Sequence, residues 1–362
     1  MESNEEVVLN FVAEWFDPHS QLLKKYLLSF NVTTSEVEMN DLQTRRKFLK
    51  KTELPTTLDA NQFLKGSTIV LLSRKLKLVD YADTATRRLL EEKEERITLL
   101  VTPSHFESIG DIVTSIESED YALVDVRSLC CSSSDLYDAE LLLGMELQDI
   151  CSSSEHPFVA LSFRGCDSMA SVTALVKSSP FCHGVVCPQV GKELEFADFF
   201  LNRQHATTAT LEECTCCIIR PHILKEHKFG AVVTDILSRR GFVIAAMQMF
   251  RLDKETAADF LAVYKGVFPQ YVELVDEMCS GPLVAMEVKM DHTINRDVVE
   301  EFRAEAGAWD YAVACELHPQ SIRARFGKST VANAVHVTDL PKDGVIECEY
   351  FFKVLSSRHG PL

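Results

Sequence analysis

Pro103 and Pro221 stand 118 residues apart, Gly110 and Gly230 stand 120 apart, and Pro157-Phe158-Val159-Ala160 precedes Pro282-Leu283-Val284-Ala285 by 125. Phe199-Phe200 then precedes Phe351-Phe352 by 152. Spaced anchors that keep their order over this distance mark an internal duplication, and any fold proposed for one copy must serve for the other. The step from 125 to 152 means that about 27 residues are absent from the first copy, in one place.

The pattern around the anchors repeats as well. In the first copy Arg96 to Val101 reads as a strand, Ile109 to Ser118 as a helix with apolar residues at Ile109, Ile112, Val113 and Ile116, and Tyr121 to Leu129 as a strand. A helical stretch from Asp135 to Ile150 precedes the strand Phe158 to Phe163. In the second copy the strand Cys216 to Ile219 is followed by a helix, Phe229 to Ser238, and a strand, Gly241 to Met247. A helix from Lys254 to Lys265, the stretch Tyr271 to Met278, a strand from Pro282 to Val288 and a helix from Asn295 to Ala306 complete it. The order βαββαβ with antiparallel neighbours predicts a ferredoxin-like α+β sandwich rather than a wound parallel sheet. Each copy is too short for a dinucleotide fold. Residues 1–95 read differently. Apolar runs at Leu9 to Phe16 and Gln21 to Phe30, with alternation at Ser35 to Met39 and Lys75 to Val79, predict a β-rich domain. The charged run Glu91 to Arg96 is a solvated helix or a linker at its boundary. Three domains follow: 1–95, 96–208 and 209–362.

Composition narrows the function classes. The 362 residues hold 54 acidic and 37 basic side chains, a net charge of -17, which argues against binding to nucleic acid over a broad surface. No run approaches the ~18 apolar residues that span a bilayer, and the acidic stretch Met1 to Glu6 has no signal-peptide pattern, so neither membrane nor secretion is expected. The 12 cysteines, some adjacent (Cys130-Cys131, Cys216-Cys217), read as reduced core thiols. The cluster Cys214-Thr215-Cys216-Cys217 lacks zinc spacing.

Chemistry concentrates in the second copy. Arg220 sits between an apolar strand and Pro221, Arg303 lies late in a helix, Arg323 lies in Ser321-Ile322-Arg323, and His336 lies in Asn333-Ala334-Val335-His336. Guanidinium groups suit phosphate oxygens, and a histidine beside them can attack phosphorus through a neutral ring nitrogen. Spacing alone favours the plainer reading, a packed or exposed histidine and surface arginines. Gly327-Lys328-Ser329 is not a phosphate-binding loop, because Ile322 occupies the place of its first glycine.

Arg220-Pro221-His222, Gly241-Phe242, Ser280-Gly281-Pro282-Leu283-Val284-Ala285-Met286, Ser321-Ile322-Arg323 and Asn333-Ala334-Val335-His336 together resemble the ordered motifs of the nucleoside diphosphate kinases over about residues 210–355. The whole chain is similar to a subfamily in which a β-rich, PH-like DM-ten domain precedes two kinase-like copies. Ala13-Glu14-Trp15-Phe16-Asp17-Pro18 and Val79-Asp80-Tyr81 carry the DM-ten likeness. The resemblance implies phosphoryl transfer between nucleoside triphosphates and diphosphates in two half-reactions, with magnesium held through the phosphates. It assigns His336 as nucleophile, Glu347 as the carboxylate that orients it, Thr338 as a supporting hydroxyl, Arg220, Arg303 and Arg323 as phosphate contacts, Asn333 as a sugar or phosphate contact, and Tyr271 as the ring that stacks on the base.

Four positions depart from the family. Arg220 replaces a lysine, Leu261 falls where a tyrosine stands beside the nucleophile, Trp309 replaces a phosphate-contacting threonine, and Val337 replaces a glycine. In the first copy Thr102 replaces Arg220, the absent block is expected to have carried both phosphate arginines, and His183 is the candidate for the nucleophile's place. That copy reads as structural. The subfamily resemblance further implies a protein of the cytoskeleton, inside axonemal microtubules of a cilium or flagellum, with tubulin among its partners. Lys24-Lys25, Arg45-Arg46-Lys47 and Lys50-Lys51 are candidate contacts for an acidic tubulin surface, or simply a solvated face. Two fused copies are expected to replace one contact of a kinase dimer.

Overall fold

The computed structural model describes residues 7–17, 22–54, 63, 68–72, 74–91, 95–131, 133–143, 156–165, 169–181, 183–203, 205–239, 241–290 and 296–358. The chain forms two compact units, Met1–Glu94 and Glu95–Leu362.

The first unit is an antiparallel sheet of six strands, β1 (Val8–Asp17), β2 (Leu22–Asn31), β3 (Glu36–Asp41), β4 (Lys47–Glu53), β5 (Thr68–Leu71) and β6 (Arg74–Tyr81). They lie in the order β4-β3-β2-β1-β6-β5. Alternate residues of the long strands, among them Leu9, Phe11 and Ala13 on β1 and Tyr26, Leu28 and Phe30 on β2, are buried in one core with Phe63. Helix α1 (Thr84–Glu91) follows, its first turn closed by Asp83, whose carboxylate accepts from Thr86 N at 2.6 Å. β4 has no counterpart in the sequence reading. Its side chains are mostly exposed on both faces, so Lys47-Phe48-Leu49-Lys50-Lys51 carries no alternation to read.

The second unit holds both copies on one sheet. The first copy runs β7 (Glu95–Val101), α2 (Ile109–Glu117), β8 (Ala122–Leu129), α3 (Ser133–Leu143), β9 (Phe158–Gly165), α4 (Met169–Ser178), β10 (Val185–Val186) and α5 (Glu193–Ala197). The second runs β11 (Cys214–Ile219), α6 (Pro221–Lys225), α7 (Phe229–Ser238), β12 (Phe242–Arg251), α8 (Lys254–Phe260), α9 (Tyr271–Met278), β13 (Pro282–Met290), α10 (Val298–Ala306), α11 (Tyr311–Leu317), α12 (Ile322–Phe326), β14 (Val335–Val337) and α13 (Gly344–Glu349). Residues 144–150 of the expected helix after Asp135 lie outside the described residues. The eight strands stand in the order β10-β7-β9-β8-β12-β13-β11-β14, every pair antiparallel. Each half therefore has the strand order 4-1-3-2 of a ferredoxin-like fold, the two halves meeting at β8 and β12.

Both faces of this sheet are covered, which is why its inner strands are apolar without alternation. On β11, Cys217 and Ile219 face a core that runs under both copies, while Cys214, Cys216 and Ile218 face a second core beneath α8, α9 and α13. The junction between the copies is close. Gln248 pairs with Arg127, and Met247 N donates to Ser128 Oγ at 2.9 Å. Helices α2 and α7 cross with Gly110 against Gly230. A Cβ on Gly230 would lie 2.4 Å from Thr114 N, so the backbones approach where no side chain fits. Glu117 of α2, buried, accepts from Phe229 N and Gly230 N at the start of α7. Each copy also ends in a π-helical turn over its Phe-Phe pair, Asp198–Asn202 and Tyr350–Leu355.

Registration corrects two readings of the first copy. Val186 pairs with Leu100 as His336 pairs with Ile218, and Thr102 N donates to Gly184 O as Arg220 N donates to Ala334 O. Val186, not His183, therefore holds the place of His336; His183 lies before the strand and is exposed. The absent block corresponds to α11 and α12, between α10 and β14. Of the two arginines only Arg323 lies in it, because Arg303 sits on α10, whose counterpart α4 is kept without any arginine.

Candidate nucleotide and phosphate site

His336 projects from β14 toward the core beneath α8, where the Phe260 ring meets it edge-on at 5.0 Å. The bend before the strand is strained. Ala334 has φ +71, and Val335 N donates to Asn333 O across it at 2.9 Å. A side chain in this left-handed three-residue turn has a cost that neighbouring contacts must offset, and Arg220 N supplies one by donating to Ala334 O at 3.0 Å.

The ring of His336 is held at one nitrogen. Nε2 lies 2.9 Å from Glu347 Oε2, and the same carboxylate oxygen accepts from Thr338 Oγ1 at 3.0 Å. Thr338 Oγ1 in turn accepts from Cys216 N at 3.0 Å, which ties the pair to β11. A carboxylate can only accept, so Nε2 carries a proton, and in the neutral ring Nδ1 holds the lone pair. Nδ1 is buried with no hydrogen-bond partner.

Arg323 leaves α12 and is nearly fully buried. Nε donates to Val335 O at 3.3 Å and Nη1 to Gly307 O at 2.8 Å, while Nη2 has no hydrogen-bond partner. Burial, and then the nearby charge of Arg220, push its guanidinium down to about 10. Arg220 is completely buried, and burial likewise lowers its affinity for its proton. It donates to Val331 O and lies 3.6 Å from Glu277, with Nε and Nη2 unpartnered. Asn333, also buried, donates to Trp309 O at 3.2 Å and leaves its Oδ1 without a hydrogen-bond partner. Buried polar atoms are satisfied almost everywhere in folded proteins. Among the described residues most of the exceptions gather here, at Arg220, His222, Glu277, Trp309, Arg323, Asn333 and His336.

A cavity of about 480 Å³ opens beside these groups, lined in part by Arg303, Gly307, Trp309, Arg323 and Asp339. Arg303 is half-exposed there and donates to Asp339 O at 3.0 Å. His336, Arg220 and Tyr271 do not line it.

The aromatic residues differ from the sequence reading. Leu261 is buried in the core, and Tyr264, three residues on, stands beside His336 with ring centroids 6.3 Å apart. Helix α8 ends at Phe260 and a tight turn over Ala262–Tyr264 follows, which shifts the tyrosine relative to a straight alignment. The Tyr264 hydroxyl donates to Asp339 Oδ2 at 2.6 Å, and burial and this bond raise its pKa. Tyr271 lies on α9 with its hydroxyl donating to Ala258 O at 3.2 Å. The rings that meet Trp309 are Tyr264 at 5.3 Å and Phe268 at 5.5 Å. The sequence reading singled out neither: Tyr264 fell inside the expected helix Lys254 to Lys265 and Phe268 between it and Tyr271.

Similarity to known proteins covers the second copy and, for some relatives, nearly the whole chain. A family model described as nucleoside diphosphate kinase matches residues 213–356. The chain is 33% identical over 377 residues to nucleoside diphosphate kinase homolog 7 of Mus musculus, an alignment covering 96% of this chain and 93% of that protein. Its likeness to the homolog 7 protein of Rattus norvegicus is 32% over 380 residues, with the same coverage. The nucleoside diphosphate kinase of Chlorobaculum tepidum is 39% identical over 140 residues, 39% of this chain and 93% of that one. Among solved structures, nucleoside diphosphate kinase from Aquifex aeolicus matches at 30% identity and TM-score 0.36, covering 41% of this chain and 98% of its own.

Proposed function

Since the chain belongs to the nucleoside diphosphate kinase family, with relatives named nucleoside diphosphate kinase homolog 7 along nearly its whole length, we propose that its second copy transfers a phosphoryl group between nucleotides through His336. The observation that carries this is His336 Nδ1, buried and unpartnered on the strand whose Val335 O accepts from Arg323, while guanidinium atoms of Arg323 and Arg220 are likewise unpartnered.

The chemistry follows from the contacts. With Nε2–H donated to Glu347, Nδ1 attacks the terminal phosphorus of a nucleoside triphosphate. An N–P bond forms, the bond from phosphorus to the bridging oxygen breaks, and the diphosphate departs with the electron pair. A terminal oxygen of an acceptor diphosphate then attacks the same phosphorus and His336 is restored. Glu347 holds the ring in one tautomer and stabilises the charge that develops on it. Arg323 and Arg220 supply fixed donors to the equatorial oxygens in a site shielded from water, where such donors act most strongly. Arg303 sits at the cavity mouth for the outer phosphates, and Asn333 Oδ1 is an acceptor for a sugar hydroxyl. Tyr271 is the proposed base contact on the resemblance alone. A divalent cation such as magnesium would arrive on the nucleotide phosphates and neutralise their charge. Glu347 and Asp339 already serve His336 with Thr338 and Tyr264 with Arg303, which fits a metal carried by the nucleotide.

The test uses the full chain and ATP labelled at the terminal phosphate. We expect acid-labile, base-stable label on the wild type and none on His336→Ala. Absence of label on wild type at saturating ATP would falsify the reading, leaving binding without turnover, a nucleotide sensor or a purely structural protein.

A second role in the axoneme of a cilium or flagellum, on the inner face of microtubules, rests on the subfamily resemblance and on one observation. In the N-terminal sheet, read as the DM-ten, PH-like domain, the edge strand β4 and the turn before it expose Arg45, Arg46, Lys50 and Lys51, in a chain of net charge -17. Lys24, Lys25 and Lys47 are instead paired with Asp17, Glu14 and Glu38. An acidic tubulin surface fits the exposed set. Charge reversal at Lys50 and Lys51 is expected to release the protein from axonemes, and unchanged retention would remove this contact.

A further inference from the structure

Trp309 occupies the middle of the cluster. The Arg220 guanidinium lies over its ring at 5.5 Å and that of Arg323 at 5.2 Å. The Tyr264 and Phe268 rings also meet it, at 5.3 and 5.5 Å. It forms part of the cavity wall, whereas Arg220 is shut away from that cavity.

The backbone and the ring of this residue are held differently. Gly307, with φ +87, ends α10, and Asp310 caps α11 by accepting from Ala312 N and Val313 N, so the intervening segment is fixed at both ends. Asn333 grips the Trp309 carbonyl. The ring has no such anchor, because Nε1 is buried without a hydrogen-bond partner. Stacking, cation–π contact and packing against the edge of the second core keep it in place, with no hydrogen bond to the ring.

We propose that Trp309 is a phosphate-displaced gate: its indole stands in for the anion between Arg220 and Arg323, and a nucleoside diphosphate or triphosphate enters by turning the ring out. This rests on the phosphoryl-transfer reading and deepens it. The exchange is favourable in kind, since charge-assisted hydrogen bonds from two guanidinium groups to a phosphate are stronger than the contacts of a ring face. Displacement costs affinity, however, because the free protein populates the closed state and only a fraction is competent to bind. Selectivity follows. A ligand without a di- or triphosphate, such as a nucleoside, has nothing to offer both arginines and leaves the gate shut.

The chain has two tryptophans, so Trp15→Phe leaves Trp309 as the sole indole reporter. Titration of that full-length variant with ADP should raise acrylamide quenching of the emission about twofold or more, while adenosine at the same concentration should not. Trp309→Ala should bind ADP about 10-fold more tightly than wild type, the factor expected from removing two cation–π contacts. Far-UV circular dichroism confirms that it is folded. ADP binding with unchanged quenching, or a folded Trp309→Ala that binds no better, overturns the gate while leaving phosphoryl transfer standing if His336 still takes label. Failure of both proteins to bind ADP or take label overturns the gate together with the reading beneath it.

Discussion

The two copies share a sheet, a strand order and even the same π-helical ending, yet differ in what their fourth strand carries. In the second copy β14 presents His336 to Glu347 and Thr338, with Arg323 brought in by α12. In the first, β10 presents Val186 to an apolar core of Leu100, Phe158, Phe196 and Phe200. Val186 fills the position with packing that suits a hydrophobic side chain and no charge. The difference teaches that the fold and the chemistry are separable here. Loss of α11 and α12 removed Arg323 and left the strands and the pairing between copies intact.

The comparison can be tested hardest at Arg323. Arg323→Ala should reduce the rate of label transfer to His336 by about 10²- to 10³-fold, the usual loss when a preorganised donor is removed. A smaller drop would mean that Arg220 alone suffices. Gly230→Ala probes what holds the copies together. Its Cβ would meet the backbone at Thr114 N, at 2.4 Å, and at Gly110 O, at 2.6 Å, so thermal or denaturant unfolding should reveal a loss of about 3 kcal/mol. Glu117 gives a pH signature to the same junction. Burial pushes its carboxyl up to about 7, against 4.5 ordinarily, with Gly230 N and Phe229 N opposing. The folded chain then holds this proton more tightly than the unfolded chain does. Its contribution is fully present below about pH 4.5 and falls away as pH rises through 7. Glu117→Gln keeps an acceptor without the charge, so melting temperatures should converge with wild type at pH 5 and exceed it at pH 8 by the equivalent of about 1–2 kcal/mol. The smallest effect is expected from Val186→His. A histidine at the nucleophile's register, beside Thr102 and without an Arg323, should take no label. Label there would show that the arginines matter less than the second copy implies.

Much of the architecture was legible from residue order. The repeat anchors and the βαββαβ pattern named the layers and the strand types, since hydrophobic periodicity reports burial directly. Strand β4 escaped, because an edge strand exposed on both faces carries no periodic signal. Within the site, His336, Glu347, Thr338, Asn333 and Arg323 were reached from motifs and are brought together. Leu261 and Tyr264 exchanged places because α8 stops short and a tight turn changes which residue faces inward. His183 yielded to Val186 for a related reason. A register is set by backbone pairing across β7 and β10, and chain counting through an insertion cannot supply it.

Residue order by itself determined that two related halves must build one kind of sandwich and that only the later half keeps Arg220, Arg303 and Arg323 in sequence with a histidine, because both follow from which residues exist and how they alternate. Tertiary structure alone decided that the halves would merge into one eight-stranded sheet, that Arg220 would be sealed behind Trp309, and that His336 would be left with one nitrogen bound and the other bare. Those outcomes depend on distances between atoms far apart in the chain, and only packing sets such distances.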